Sequence, residues 1–130
     1  MKLMKYIWIA LVAVACTSTS SEAQQYERID NTKLEELMQD ESLQLVDVRT
    51  PEEVAAGYIE GAQHIDIYDP RFVEKVSELD KNQPVAVYCA VGGRSASASK
   101  RLQKLGFTKV YDLANGYRGW KAAGKPTVKD

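Results

Sequence analysis

Three short apolar runs are separated by segments of helical spacing: LQLVDV from Leu43 to Val48, PVAVYC from Pro84 to Cys89 and KVYDL from Lys109 to Leu113. No other feature restricts the fold as much. The first two are nearly continuous in apolar character and of strand length, as expected for strands covered on both faces. The intervening segments carry helix punctuation. Thr32 with Glu35 has capping-box spacing, and Leu34, Leu37 and Met38 then share a face. Thr50, Pro51 and Glu53 supply an N-cap, an N1 proline and the capping acid of a second helix that Gly57 ends. Asp69-Pro70 starts a third helix with Phe72, Val73, Val76 and Leu79, Ser95 to Leu105 forms a fourth closed by Gly106, and Gly116 to Ala123 a short fifth. Strands alternating with helices favour right-handed crossovers. The expected class is α/β, with a central, mostly parallel sheet and helices on both faces.

Ligands of such sheets bind beyond the carboxyl ends of the strands, which directs attention to the residues just past Val48 and Tyr88. Cys89-Ala90-Val91-Gly92-Gly93-Arg94-Ser95 lies between a buried strand and a helix. A cysteine at a strand end is ordinarily a small buried apolar residue. The residues after it change that reading. Two glycines permit positive φ and leave backbone N–H groups unshielded, so the loop can curl around the Cys89 side chain. Those N–H groups and the adjoining helix start form a concave donor array with a positive dipole end, which favours thiolate over thiol. Arg94 adds a permanent planar cation, suited to an anionic substrate or to the loop's own carbonyls.

With these residues in view, the chain resembles a single-domain rhodanese, a thiosulfate sulfurtransferase-like protein. CAVGGRS is similar to that family's active loop, in which Cys-x-x-Gly-x-Arg carries the catalytic cysteine first. DVRTPEEVAAGYIEGAQHI, from Asp47 to Ile65, resembles a second signature, and Asn115-Gly116, Trp120, Gly124 and Pro126 a closing one. The departures are Tyr58, where the family often has histidine, and Asn115, where Gly-Gly is more usual. The resemblance implies a rhodanese-like domain over residues 26–130. It implies a sulfurtransferase that moves a sulfane sulfur from thiosulfate or a similar small anionic donor to a thiol or cyanide, through a persulfide on Cys89. Residues Ala90 to Ser95 would bind the substrate, and neither cofactor nor metal is required. The alternatives are a persulfide-carrying partner module of the cell envelope and a catalytically idle binding domain.

The spacing also separates this loop from cysteine phosphatases and arsenate-reducing enzymes, which use Cys-x5-Arg. Here arginine is the fifth residue after Cys89, so the cradle is one N–H short for a tetrahedral phosphate. Thiol-disulfide exchange is disfavoured because Cys16 is the only other cysteine. Asp47 and Arg49 lie at a strand end and are assigned support, pairing with each other or fixing the active loop. His64, the sole histidine, is read as structural or exposed; Tyr117 and Trp120 as core or rim.

Composition narrows the partners. Across 130 residues, 17 Lys+Arg against 18 Asp+Glu give a net charge of -1, with 45% hydrophobic and 27% charged residues. Global disorder, several membrane spans and a basic nucleic-acid binder are thereby disfavoured. Residues 1–25 read as an address. Lys2 and Lys5 precede an uncharged apolar run, Tyr6 to Cys16, too short to span a bilayer but of signal-peptide length. Ala13, Ala15 and Cys16 resemble a lipobox, with Ala13 where leucine is usual, and TSTSSEAQQ has the composition of a tether. The expectation is cleavage before Cys16, lipidation of that cysteine and a domain held at the bacterial envelope, facing the periplasm or surface. An envelope protein is a possible partner, and the anchor would be the only membrane contact. Ordinary cleavage would give a soluble periplasmic protein.

Overall fold

The computed structural model describes residues 23–130. Five strands, β1 (Gln25–Ile29), β2 (Gln44–Asp47), β3 (Gln63–His64), β4 (Val85–Tyr88) and β5 (Lys109–Leu113), form one sheet in the order β1-β5-β4-β2-β3. Every pairing is parallel. The helices are α1 (Asn31–Leu37), α2 (Pro51–Ala55), α3 (Phe72–Val76), α4 (Gly93–Lys104) and α5 (Gly116–Ala122).

Both faces of the sheet are buried, which explains the apolar runs. Along β4 and just past it, Val85, Val87 and Cys89 join a core with Phe72 and Val76 of α3 and Ala98 and Leu102 of α4. Ala86 and Tyr88 point the other way, into a core with Leu34 of α1 and Tyr117 and Trp120 of α5. The alternation of side chains along a strand divides the two layers. Trp120 closes the second by donating its indole N–H to Pro126 O at 2.8 Å.

Two strands go beyond the apolar runs, one at each edge. In β1 only Ile29 is buried; its polar residues are held by backbone pairing to β5, and it takes in Gln25, which by composition reads as tether. Two residues make up β3, both exposed. Neither leaves an apolar pattern.

Helix starts obey local chemistry with three shifts. The Thr50 box on α2 forms as expected, with Pro51 next. On α1 the cap is Asp30, which accepts from Lys33 N at 2.8 Å, and not Thr32. Asp69 accepts from Arg71 N at 2.8 Å, building a turn ahead of α3 in place of a cap on it. The α4 helix begins at Gly93, two residues before Ser95, because Gly92 supplies the turn. Gly106, with φ +95°, comes just after the α4 C-cap.

Candidate active site

The parallel arrangement brings the exits of β2, β4 and β5 to one edge. Val48 N–H donates to Tyr88 O at 3.0 Å, Tyr117 N–H to Cys89 O at 2.7 Å and Arg118 N–H to Ala90 O at 3.1 Å. The start of the Cys89 loop is therefore tied to its neighbours through backbone bonds.

Cys89 is the first residue past β4 and has no exposed surface. Gly92 N–H donates to its Sγ at 3.1 Å, and Ser95 Oγ lies 3.6 Å from the sulfur. Burial is the largest influence on the thiol and pushes its pKa up; the Ser95 hydroxyl and the backbone N–H groups of Ser95, Gly92 and Val91 outweigh it. The net direction is down, toward thiolate. The twelve-residue α4 just beyond has no acidic residue in its first turn to offset its positive end.

Of the two loop glycines, one needs to be glycine. Gly92 has φ +103°, and a Cβ on it would run into Ala114 O and meet Arg28 Nη2 at 2.8 Å. Gly93 has no such φ, begins α4 and has nothing near where its Cβ would stand. Of the two glycines that permit positive φ, Gly92 is the one that adopts it. Gly116 is the other position where space decides: at φ +60°, a Cβ there would run into the carbonyl of Ala90. Asn115 has an ordinary φ of -90°, which accounts for the tolerance of a side chain where Gly-Gly is usual. At the loop's outer edge Val91 is 62% exposed, with Ala90 half-buried beside it.

Arg94 gives its fork to Glu53. Nη1 donates to Glu53 Oε1 at 2.6 Å and Nη2 to Oε2 at 2.9 Å, and among the described residues no loop carbonyl receives a bond from it. Glu53 is the site residue that sequence reasoning missed. Its signal was present in the Thr50-x-x-Glu53 box, where Thr50 Oγ1 donates to Oε1 at 3.1 Å, but that spacing reports only the cap. Chiefly the Arg94 bond, opposed by burial and helped by Thr50, brings the Glu53 pKa down to about 2. The pair therefore joins α2 to the first turn of α4 wherever Cys89 titrates.

Asp47 and Arg49 pair with each other. Arg49 Nε and Nη2 donate to the Asp47 carboxylate, the shortest bond being 2.7 Å, and Nη2 also reaches Gly57 O at 2.7 Å. Both residues are buried. The guanidinium lies 4.1 Å from the ring centre of Tyr117, the residue whose N–H donates to Cys89 O. His64 is exposed, its Nε2 2.6 Å from Arg49 O. Tyr58 is bound into the C-terminal segment, donating its hydroxyl to Asp130 at 2.7 Å. Beside Ala90 a cleft of about 270 Å3 opens, edged by Glu53, Tyr117, Arg118 and Lys121. Cys16 and the apolar run before it lie outside the described residues.

Comparison with known proteins agrees with this arrangement. Residues 30–123 match the family model described as a rhodanese-like domain. The chain is 35% identical over 101 residues to a sulfurtransferase of Allochromatium vinosum, covering 77% of this chain and 92% of that one. It is 34% identical over 98 residues to the thiosulfate sulfurtransferase GlpE of Pseudomonas putida, covering 75% and 87%. Among solved structures, a rhodanese-related protein from Thermoplasma volcanium superposes with a TM-score of 0.72 at 32% identity, over 81% of this chain and all of that one. The fold, the loop between β4 and α4 and these likenesses converge: the chain belongs to the rhodanese-like domain family.

Proposed function

We propose that this protein is a rhodanese-type sulfurtransferase that carries sulfur on Cys89. The observation that carries the reading is the sulfur's setting, enclosed by its loop with Gly92 N–H at 3.1 Å and favoured as thiolate. The named activity of relatives at 34% and 35% identity supports sulfur transfer in general.

In the first half-reaction the Cys89 thiolate attacks the outer sulfur of thiosulfate. A Cys–S bond to that sulfur forms, the sulfur–sulfur bond of the donor breaks, and its electron pair leaves on sulfite. The product is an anionic persulfide on Cys89, stabilised by the same N–H groups that favour the thiolate. In the second half, cyanide or a thiolate attacks the terminal sulfur, and the electron pair returns to Cys89 Sγ. Both steps conserve charge and need no outside oxidant. Because Cys89 has no exposed surface, contact with the donor requires movement around the sulfur. The cationic edge of the neighbouring cleft, Arg118 and Lys121, suits an anionic donor. Arg94 acts by tying the helix start to Glu53, and Ser95 by its hydroxyl near the sulfur.

The test is the intact mass of the purified protein after thiosulfate treatment. The expected result is a gain of one sulfur atom, localised to Cys89 and removed by cyanide. A protein that gains no sulfur under saturating thiosulfate is not such an enzyme.

We further propose export and attachment to the cell envelope through lipidated Cys16, supported by Lys2, Lys5, the apolar run and the Ala-Val-Ala-Cys site. Envelope thiols or proteins would then be the acceptors within reach. In fractionated cells the native chain is expected in the membrane pellet, with a Cys16→Ala variant lacking the acyl chains. Recovery of a soluble native chain beginning at Gln24 would establish ordinary cleavage.

A further inference from the structure

On the far side of the loop from Glu53 stands a carboxylate that the sulfur-transfer chemistry does not use. Asp112, in β5, has no exposed surface. Side chains two apart on a strand share a face, so it lies on the side of Val110, the layer covered by α4. Its Oδ2 accepts from the Tyr26 hydroxyl at 3.1 Å and lies 3.8 Å from Arg28 Nε; its Oδ1 has no hydrogen-bond partner. A buried carboxylate so sparsely satisfied is costly to keep. What it holds is informative.

Arg28 and Asp112 face each other in the register of β1 against β5. From there the Arg28 side chain runs toward the active loop. Its Nη2 donates to Ala114 O at 3.3 Å and stands 2.8 Å from the point a Cβ on Gly92 would occupy. The guanidinium tip of this half-exposed side chain therefore stands in the space beside Gly92 that the absent side chain leaves, bonded to the exit of β5. Gly92 is the residue whose N–H reaches Cys89 Sγ, and its φ of +103° is a conformation that glycine reaches readily but does not hold alone.

We propose that Arg28 is a positioning residue of the active loop: held by Asp112, it wedges against Gly92 and keeps the Gly92 N–H on the Cys89 sulfur. The edge strand β1 thereby becomes part of the active-site frame, acting through the loop backbone and not on the donor. The inference rests on Cys89 being the reactive group. The charged groups that surround the loop are Arg28 from β1, Asp112 from β5, Arg94 from α4 with Glu53 from α2, Arg118 and Lys121 from α5, and the Asp47–Arg49 pair at the exit of β2.

The test is the pH dependence of Cys89 alkylation by iodoacetamide in the full chain, with the adduct located by peptide mass. It uses no sulfur donor, so it remains readable even if persulfide formation fails. Arg28→Met, which keeps the stem and removes the charge and donors, is expected to raise the midpoint by about half a unit or more. At pH values below the midpoint this slows alkylation by about threefold, while the high-pH plateau is unchanged. Arg28→Lys, which keeps a cation near Asp112 but not the flat fork, restores part of the shift. Asp112→Asn is expected to move the midpoint in the same direction and supplies the reading if Arg28→Met does not fold. An unmoved midpoint in the folded variants overturns the proposal. So does a plateau that rises at an unmoved midpoint, the mark of a loosened loop that merely exposes the sulfur.

Discussion

Replacing Cys89 by serine is expected to leave a folded domain that transfers no sulfur. Serine is close to cysteine in size, and its Oγ can accept from Gly92 N–H where Sγ now accepts at 3.1 Å, so the enclosed position keeps its hydrogen bond. Stability should change by no more than about 1 kcal/mol, the ordinary scale for exchanging one satisfied buried polar contact for another. Reactivity does not survive the exchange. The N–H groups that draw a thiol toward thiolate are far too few to ionise an alcohol at neutral pH, and oxygen forms no persulfide. Turnover with thiosulfate and cyanide should fall at least about a thousandfold, ~4 kcal/mol of transition-state stabilisation. Thermal unfolding and turnover, measured on the same sample, check both halves. Comparable turnover in the variant would place the chemistry elsewhere.

Gly92→Ala is expected to damage both the fold and the chemistry. At φ +103° an L side chain is strained, costing about 1–2 kcal/mol. Its Cβ would also run into Ala114 O, a backbone atom carried by the β5 exit that cannot swing aside as a side chain tip can. Overpacking of that kind adds about 1–3 kcal/mol, so a total loss of roughly 2–5 kcal/mol is expected in urea unfolding. Relief of the clash must move Gly92 N–H off the sulfur, and persulfide yield should fall with it. Gly93→Ala is the stability control. Gly93 is helical and has open space at its Cβ, so that variant should unfold within about 0.5 kcal/mol of the parent or above it. Equal losses at the two positions would show that strain at Gly92 is not what shapes the loop.

The contrast between these adjacent glycines marks the limit of reading a chain one residue at a time. A Gly-Gly pair announces a turn, but which member takes positive φ depends on where α4 begins; it begins at Gly93, which leaves the positive φ to Gly92, where Ala114 O also leaves no room for a Cβ. Asn115 is the converse case. By motif it was a departure from Gly-Gly; its φ of -90° makes a side chain acceptable, while neighbouring Gly116 carries the requirement imposed by Ala90.

What the sequence determined by itself is whatever contiguous residues encode. The buried strands β2 and β4 were legible as apolar runs because both faces of the sheet are covered, and the Thr50–Glu53 cap because its partners are three residues apart. The loop Cys89 to Ser95 was legible for the same reason: the glycines, cysteine and helix start that favour a thiolate are neighbours in the chain. Tertiary structure decided the rest. Glu53 meets Arg94 across 41 positions, and Arg28 meets Asp112 across the pairing of β1 with β5, the first and last strands among the described residues. The edge strands β1 and β3 exist through backbone bonds to neighbours, which leave no mark on side-chain pattern. The physical reason is range. Hydropathy period and capping act over a turn or two of chain, whereas a salt bridge or an edge pairing between distant segments has a partner only after parallel crossovers have placed the strands side by side.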